Sequence, residues 1–201
     1  LINAKDNASA VLDSLQTKVV AVGAAIATYI GINVFVGAVK GAADLETALS
    51  RVQAATGASA EEMAALRAAA EDAGATTKFT STEAAGALEN LAKAGLNSKD
   101  AIATLPAVLA LAQAGDIELA TASEYVTKAV MGMGLAFTDA GRVADVLAKG
   151  ANATNTSVEG LAQALSYAAP VANSLGLSLE TTVAILGKFA DAGIDASRAG
   201  T

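Results

Sequence analysis

Between Lys18 and Lys40 the chain runs for 21 residues, Val19–Val39, without a charge. At about 1.5 Å per residue a helix of that length reaches about 30 Å, the thickness of a bilayer hydrocarbon core. Such a run has few structural options: it crosses a membrane, it forms the centre of a helical core, or it is covered by partner helices. Its β-branched residues are compatible with a strand, but its length and its Ala and Gly content favour a helix.

The residues around the run narrow the choice. Ala8, Leu12, Leu15, Val19, Val22, Ile26, Tyr29, Asn33 and Val36 follow alternating steps of four and three, a heptad seam that enters the uncharged run from the polar segment before it. Asn33 is the one polar member. In such a seam an Asn can fix the register of parallel helices, or it can be an ordinary buried or lipid-facing residue. Gly23, Ala27 and Gly31 are spaced four apart, a pattern that lets helix backbones approach closely. An Ala- and Gly-rich chain also produces that spacing by chance. A signal peptide is disfavoured, because the run is too long for one and an amphipathic segment precedes it.

Composition limits what the remainder can do. The 201 residues are 53% hydrophobic but only 3% aromatic, so the apolar set is dominated by helix-forming Ala and Leu. With neither Cys nor His, a disulfide framework, a thiolate metal site and the commonest general base are all excluded. The net charge is −7, and residues 1–58 carry four charges of each sign, so the excess lies downstream. No basic patch with interleaved aromatics marks a sequence-specific nucleic-acid surface. The chain starts at Leu1 rather than Met, which reads as a piece of a longer protein.

From Ala42 onward the sequence is punctuated. Ser59-x-x-Glu62, Thr80-x-x-Glu83 and Thr156-x-x-Glu159 are capping boxes, and Ser98, Asp116, Thr138 and Ser178 are further N-cap candidates. Gly57, Gly74, Gly95, Gly115, Gly134, Gly176 and Gly193 each follow an apolar periodic stretch and are candidate helix ends. The predicted helices are 5–40, 42–56, 60–73, 81–94, 98–114, 117–133, 139–150, 157–175 and 179–192. Their short connections suit antiparallel neighbours. Gly37 and Gly41 are candidate breaks between the first two, and Pro106 and Pro170 should kink their helices or start new ones. The expected fold class is all-α: a long N-terminal hydrophobic helix, then a compact array of short antiparallel helices. The expected domains are 1–40, membrane-capable and oligomerising, and 42–201. Thr80–Ala101 also aligns with Ser178–Ala199 at an offset of 98, through either internal duplication or shared capping rules.

Catalytic constellations are scarce. Glu61/Glu62, Glu71/Asp72 and Asp191/Asp195 are the carboxylate pairs, and none has the 6–8 oxygen ligands of a calcium site nearby. Gly132-Met-Gly134 lacks the strand and the Lys of a phosphate loop. Met131, Met133, Leu135 and Phe137 form either an adaptable docking surface or the core at a helix end. These absences predict a non-enzyme, with no catalytic residues, no cofactor and no metal. The candidate functional segment is the helix-association stretch Gly23, Ala27, Gly31 and Asn33.

Residues 42–201 resemble the core region of tail tape measure proteins of tailed bacteriophages. The resemblance is carried by the order and spacing of Ala43–Gly57, Gly74–Glu83, Leu91–Leu96, Leu105–Ala112, Val143–Lys149, Asn155–Glu159, Ala169–Ala172, Gly176–Thr182 and Ala192–Thr201. Asp195-Ala196 departs from the family, where a basic or Gly residue is common. The resemblance implies a structural protein lying in the tail lumen, setting tail length during assembly and released at infection. It also implies association in a few copies, contacts with tail tube, tail-tip or baseplate and tail assembly chaperone proteins, and in some members a conduit through the host membrane. The rival readings are a membrane-anchored or pore-forming helical protein unrelated to tails, and a soluble helical-repeat adaptor with 19–39 in its core.

Overall fold

The structure is a computed structural model that describes residues 40–194. The expected helix over 5–40 lies outside them except for Lys40. Two compact units divide at Asp44 and Leu45, where the sequence suggested 40 and 42. The described residues are helical, with no strand among them.

The helices are α1 (40–56), α2 (Ala60–Thr76), α3 (Ser81–Lys93), α4 (Ser98–Gly115), α5 (Leu119–Gly132), α6 (Ala140–Ala153), α7 (Val158–Ser174) and α8 (Leu179–Asp191), with a 3₁₀ turn at Phe137–Asp139 before α6. Capping sets most boundaries. Ser59 and Thr80 close both halves of their capping boxes with Glu62 and Glu83. The third expected box does not form: Ser157, not Thr156, caps α7 by accepting from the Gly160 N–H. Asn97 rather than Ser98 caps α4, and Asp116 ends α4 in the left-handed conformation instead of opening α5. Thr138 falls inside the 3₁₀ turn.

Gly41 lies inside α1, and at Pro106 and Pro170, where a kink or a new helix was expected, α4 and α7 run on without a new helix starting. Both prolines are on exposed positions, where solvent can satisfy the carbonyl that the ring frees. Gly74 does not end α2 either. A Cβ there would collide with Ser81 at the start of α3, so this glycine permits a close approach.

Within the second unit the helices form two rows. In one row α2 packs on α4, α4 on α6 and α6 on α8; in the other α3 packs on α5 and α5 on α7. Consecutive helices cross between rows. Arg51 of α1 reaches Glu89 of α3 at 2.9 Å and extends the second row. Members of a row run parallel: in α6 and α8, Arg142 pairs with Glu180 and Thr154 further along adjoins Gly187 further along. The repeating unit is therefore a helical pair.

Its punctuation is regular. Gly57, Gly95, Gly134 and Gly176 all have positive φ, and each ends a helix of the α1–α3–α5–α7 row. At three of them the next residue, Leu96, Leu135 or Leu177, donates back into the last helical turn, to Leu91, Val130 and Ala172 respectively. This is the six-to-one hydrogen bond of a Schellman end. The glycines are separated by 38, 39 and 42 residues, and the three extra residues of the last interval match the 3₁₀ turn Phe137–Asp139. A helical pair recurring every 38–39 residues is the arrangement of a two-helix solenoid, in which each repeat buries its apolar face on its neighbours. The offset of 98 is not this period. It places α3 over α8, which belong to opposite rows, so that similarity is not a recurrence of the helical pair.

The core runs between the rows and is built of small and medium side chains. Leu66, Leu88, Leu91, Leu111, Leu147, Leu161 and Leu165 are fully buried, with many alanines between them. Alanine lets the helix backbones come close, which is how so little aromatic volume fills the interior.

Candidate functional site

The sequence-predicted association residues Gly23, Ala27, Gly31 and Asn33 lie outside the described residues. The other candidates can be placed. Glu62 belongs to the capping box of α2, and Glu71 lies beside Arg67. Asp191 accepts the Asn155 backbone N–H at 2.8 Å and the Lys188 ammonium at 3.0 Å, and these hydrogen bonds hold its carboxyl below the usual range. It ties the end of α8 to the α6–α7 turn. Among the described residues no group of three or more carboxylates could hold a metal ion. Met133 is buried and Leu135 and Phe137 pack half-buried on the core, as the helix-end reading expects, while Met131 is exposed.

The polar chemistry is structural, and its main feature is a set of ion pairs that recur at one separation. Arg51–Glu89, Lys78–Asp116 and Arg142–Glu180 each join residues 38 apart. Each pair connects one helical pair to the next. Glu89 is the most buried carboxylate among the described residues, 9% exposed. Burial would raise its carboxyl, but hydrogen bonds from Lys93 and Arg51 outweigh burial and hold it below the ordinary range. The Arg142 guanidinium grips Glu180 at 2.7 and 2.9 Å, and with the backbone N–H of Glu180 it lowers that carboxyl to about 2.

Close helix contact inside a row is made by glycine. A Cβ at Gly150 of α6 would lie 2.7 Å from Val183 Cγ1 and 2.8 Å from Leu161 Cδ2, and one at Gly187 of α8 would lie 2.7 Å from Thr154 Cγ2. A Cβ at Gly132 of α5 would lie 2.8 Å from the Ala169 Cβ of α7. Between α2 and α4 the surface opens into a groove of about 750 Å³. Its walls, Ala65, Ala69, Asp72 and Thr76 on one side and Ile102, Pro106, Leu109 and Gln113 on the other, share the same step of four, three and four.

The model of a family of phage-related minor tail proteins matches residues 67–201. The chain belongs to this family. Two curated relatives agree. The tape measure protein of Pneumococcus phage Dp-1 is 44% identical over 158 residues, covering 79% of this chain and 14% of its own length. The probable tape measure protein of Escherichia phage P2 is 40% identical over 145 residues, 70% of this chain and 17% of its own length. The chain therefore spans about a sixth or less of the curated relatives it matches. No solved structure matches it.

Membership in the minor tail proteins places the chain in the phage tail as a structural protein rather than an enzyme. It confirms the tape measure resemblance read from the sequence and displaces the reading of a membrane protein unrelated to tails. Among the described residues no single helix is long and apolar enough to cross a membrane. The α4–α5 pair has the composition, but it bends by 115° at Asp116, and its apolar residues form part of the core.

What the sequence reading missed was the period. The signal is present as Gly57-Ala-Ser59, Gly95-Leu-Asn97, Gly134-Leu-Ala136 and Gly176-Leu-Ser178. Gly74, Gly115 and Gly193, within or just after the last turns of the other row, obscured it.

Proposed function

We propose that this chain is a folded segment of a tape measure protein that lies in the lumen of the phage tail tube, where the length of the whole polypeptide sets tail length during assembly. The observation that carries the reading is the match to tape measure proteins over more than two thirds of the chain. In this role the segment associates with a few further copies of itself. It is handled by tail assembly chaperones, contacts the tube and the tail-tip or baseplate proteins, and leaves the tube at infection.

Deleting residues 45–194 in frame from the intact gene tests the ruler role. Those 150 residues correspond to at most about 225 Å of tail as a continuous helix, and to far less as stacked pairs about 10 Å apart. Shortened tails in electron micrographs are expected; tails of unchanged length would remove this segment from the ruler.

The uncharged run Val19–Val39 fits a second task in the same protein. It would be sheltered by partner helices in the tail and exposed to the host bilayer at infection, helping genome passage. Leakage of liposomes by the 201-residue chain, abolished by Ile26→Asp, is the expected result. Leakage that is absent, or indifferent to the substitution, would leave the tail role without a membrane role.

A further inference from the structure

Seven large apolar side chains are exposed among the described residues, and six of them, Tyr167, Val171, Leu175, Ile185, Phe189 and Ile194, belong to α7, α8 and the turns that end them. Val171 and Leu175 are 61% and 70% exposed. The distribution follows from the repeat. In α7, Ala169 faces Gly132 of α5, its predecessor in the row. Tyr167 and Val171 stand two positions to either side of Ala169, about 200° round the helix and hence on the opposite side. In α8, Gly187 faces Thr154 of its predecessor α6, and Ile185 and Phe189 stand two positions to either side of it. Both helices thus contact the preceding pair on one side and present bulky apolar residues on the side where the next members of both rows would stack.

An array that ended here would carry a polar outer face on its last pair, as capping repeats do. This face is apolar, and it continues the interface that already joins α5 to α7 and α6 to α8. The helix α8 also ends like the members of the other row. Gly193 has φ +78°, and Ile194 donates back to the Phe189 carbonyl, the turn that elsewhere leads from Gly95-Leu96 and Gly176-Leu177 into the next helix.

We propose that the outer face of α7 and α8 is a stacking surface for a further helical pair of this same 38–39-residue type, supplied by the same tape measure polypeptide. The proposal rests on the reading of this chain as a segment of a tape measure protein, whose relatives are six to seven times longer than the matched stretch. The occupant it names is an amphipathic helical hairpin with small residues at the contact, neither lipid nor a second copy of this unit.

The 201 residues contain no Cys, so single cysteines can serve as probes. Val171→Cys, Phe189→Cys and, as a control on the exposed part of α6, Lys149→Cys would be placed in the full-length protein and in the 201-residue chain, and maleimide labelling followed by peptide mass spectrometry. Labelling at 171 and 189 should be at least about tenfold slower in the full-length protein, with 149 equally reactive in both. Equal labelling of 171 and 189 in the two proteins would overturn the proposal. So would protection in the 201-residue chain that grows with its own concentration, which assigns the face to a second copy, or protection that appears only with phosphatidylglycerol vesicles. Slow labelling of all three positions would make the shielding nonspecific and would overturn it too. None of these outcomes depends on whether deletion of 45–194 alters tail length, so the two readings fail separately.

Discussion

Arg142 and Glu180 are held in a two-pronged ion pair, Nε to Oε1 at 2.7 Å and Nη2 to Oε2 at 2.9 Å, and are 38 residues apart in the chain. Their separation is that of one repeat, so the pair fixes the register of α8 on α6. Both side chains are about half exposed, so solvent screens most of the attraction and the pair guides register more than it stabilises. Glu180→Gln should lower the melting temperature at pH 7 by about 1–3 °C. The folded-state carboxyl is lowered to about 2 from 4.5, so its contribution is present above about pH 4.5 and is lost as the pH falls towards 2. Melting curves of the variant and the parent should converge over that interval.

Glu89 should matter more. Its carboxylate is buried beneath Arg51 and Lys93, and replacing it with Gln removes the charge both cations face and leaves one acceptor oxygen where there were two. A loss of about 1–3 kcal/mol is expected for Glu89→Gln in denaturant titrations at pH 7. The folded-state carboxyl is held below its ordinary value, so this stabilisation exists above the unfolded-state value and disappears as the pH falls through the folded-state one. The gap between the parent and the variant should therefore narrow on acidification.

Helical glycines divide into two groups with opposite expected effects. Nothing lies within 4 Å of a Cβ at Gly86 in α3, whereas one at Gly150 would strike Val183 and Leu161 in the α6–α8 contact. Gly86→Ala should stabilise by about 0.5–1 kcal/mol through helix propensity and lost unfolded-state entropy. Gly150→Ala gains the same propensity term but overpacks a closed site, at a cost of about 1–3 kcal/mol. Thermal melts of the two variants should shift in opposite directions.

The glycines that end the α1–α3–α5–α7 row form a third group. Gly95 and Gly176 have φ of +95° and +71°, with open space where a Cβ would stand. Substitution by Ala meets no clash, so the cost is conformational alone, about 1–2 kcal/mol each. The two sites are two structural repeats apart, and the effects should add in the double variant.

How much of this was legible in the sequence depends on the range of each interaction. Helices α2 to α8 were recoverable to within about three residues because their ends are written in local chemistry: Ser59 with Glu62, Thr80 with Glu83, the left-handed glycines 57, 95, 134 and 176. Errors arose where two neighbouring residues could serve the same local role. Ser157 displaced Thr156 as the cap of α7, and Asp116, two residues before the actual cap Glu118, took a left-handed conformation that few non-glycine residues adopt. Gly74 and Gly150 look like helix ends in sequence, yet they are contact points, because only the neighbouring helix defines how closely it approaches.

The sequence by itself determined the helical class, the helix ends and, through its order of segments, the family. Each rests on residues close together in the chain or on their succession. Tertiary structure alone decided that the helices stack as parallel rows, that Arg51, Lys78 and Arg142 each pair 38 residues ahead, and that α7 and α8 present an apolar outer face. These are matters of which face meets which. An Ala-rich helix that is apolar on most sides does not specify its partner until packing closes one side and leaves another open.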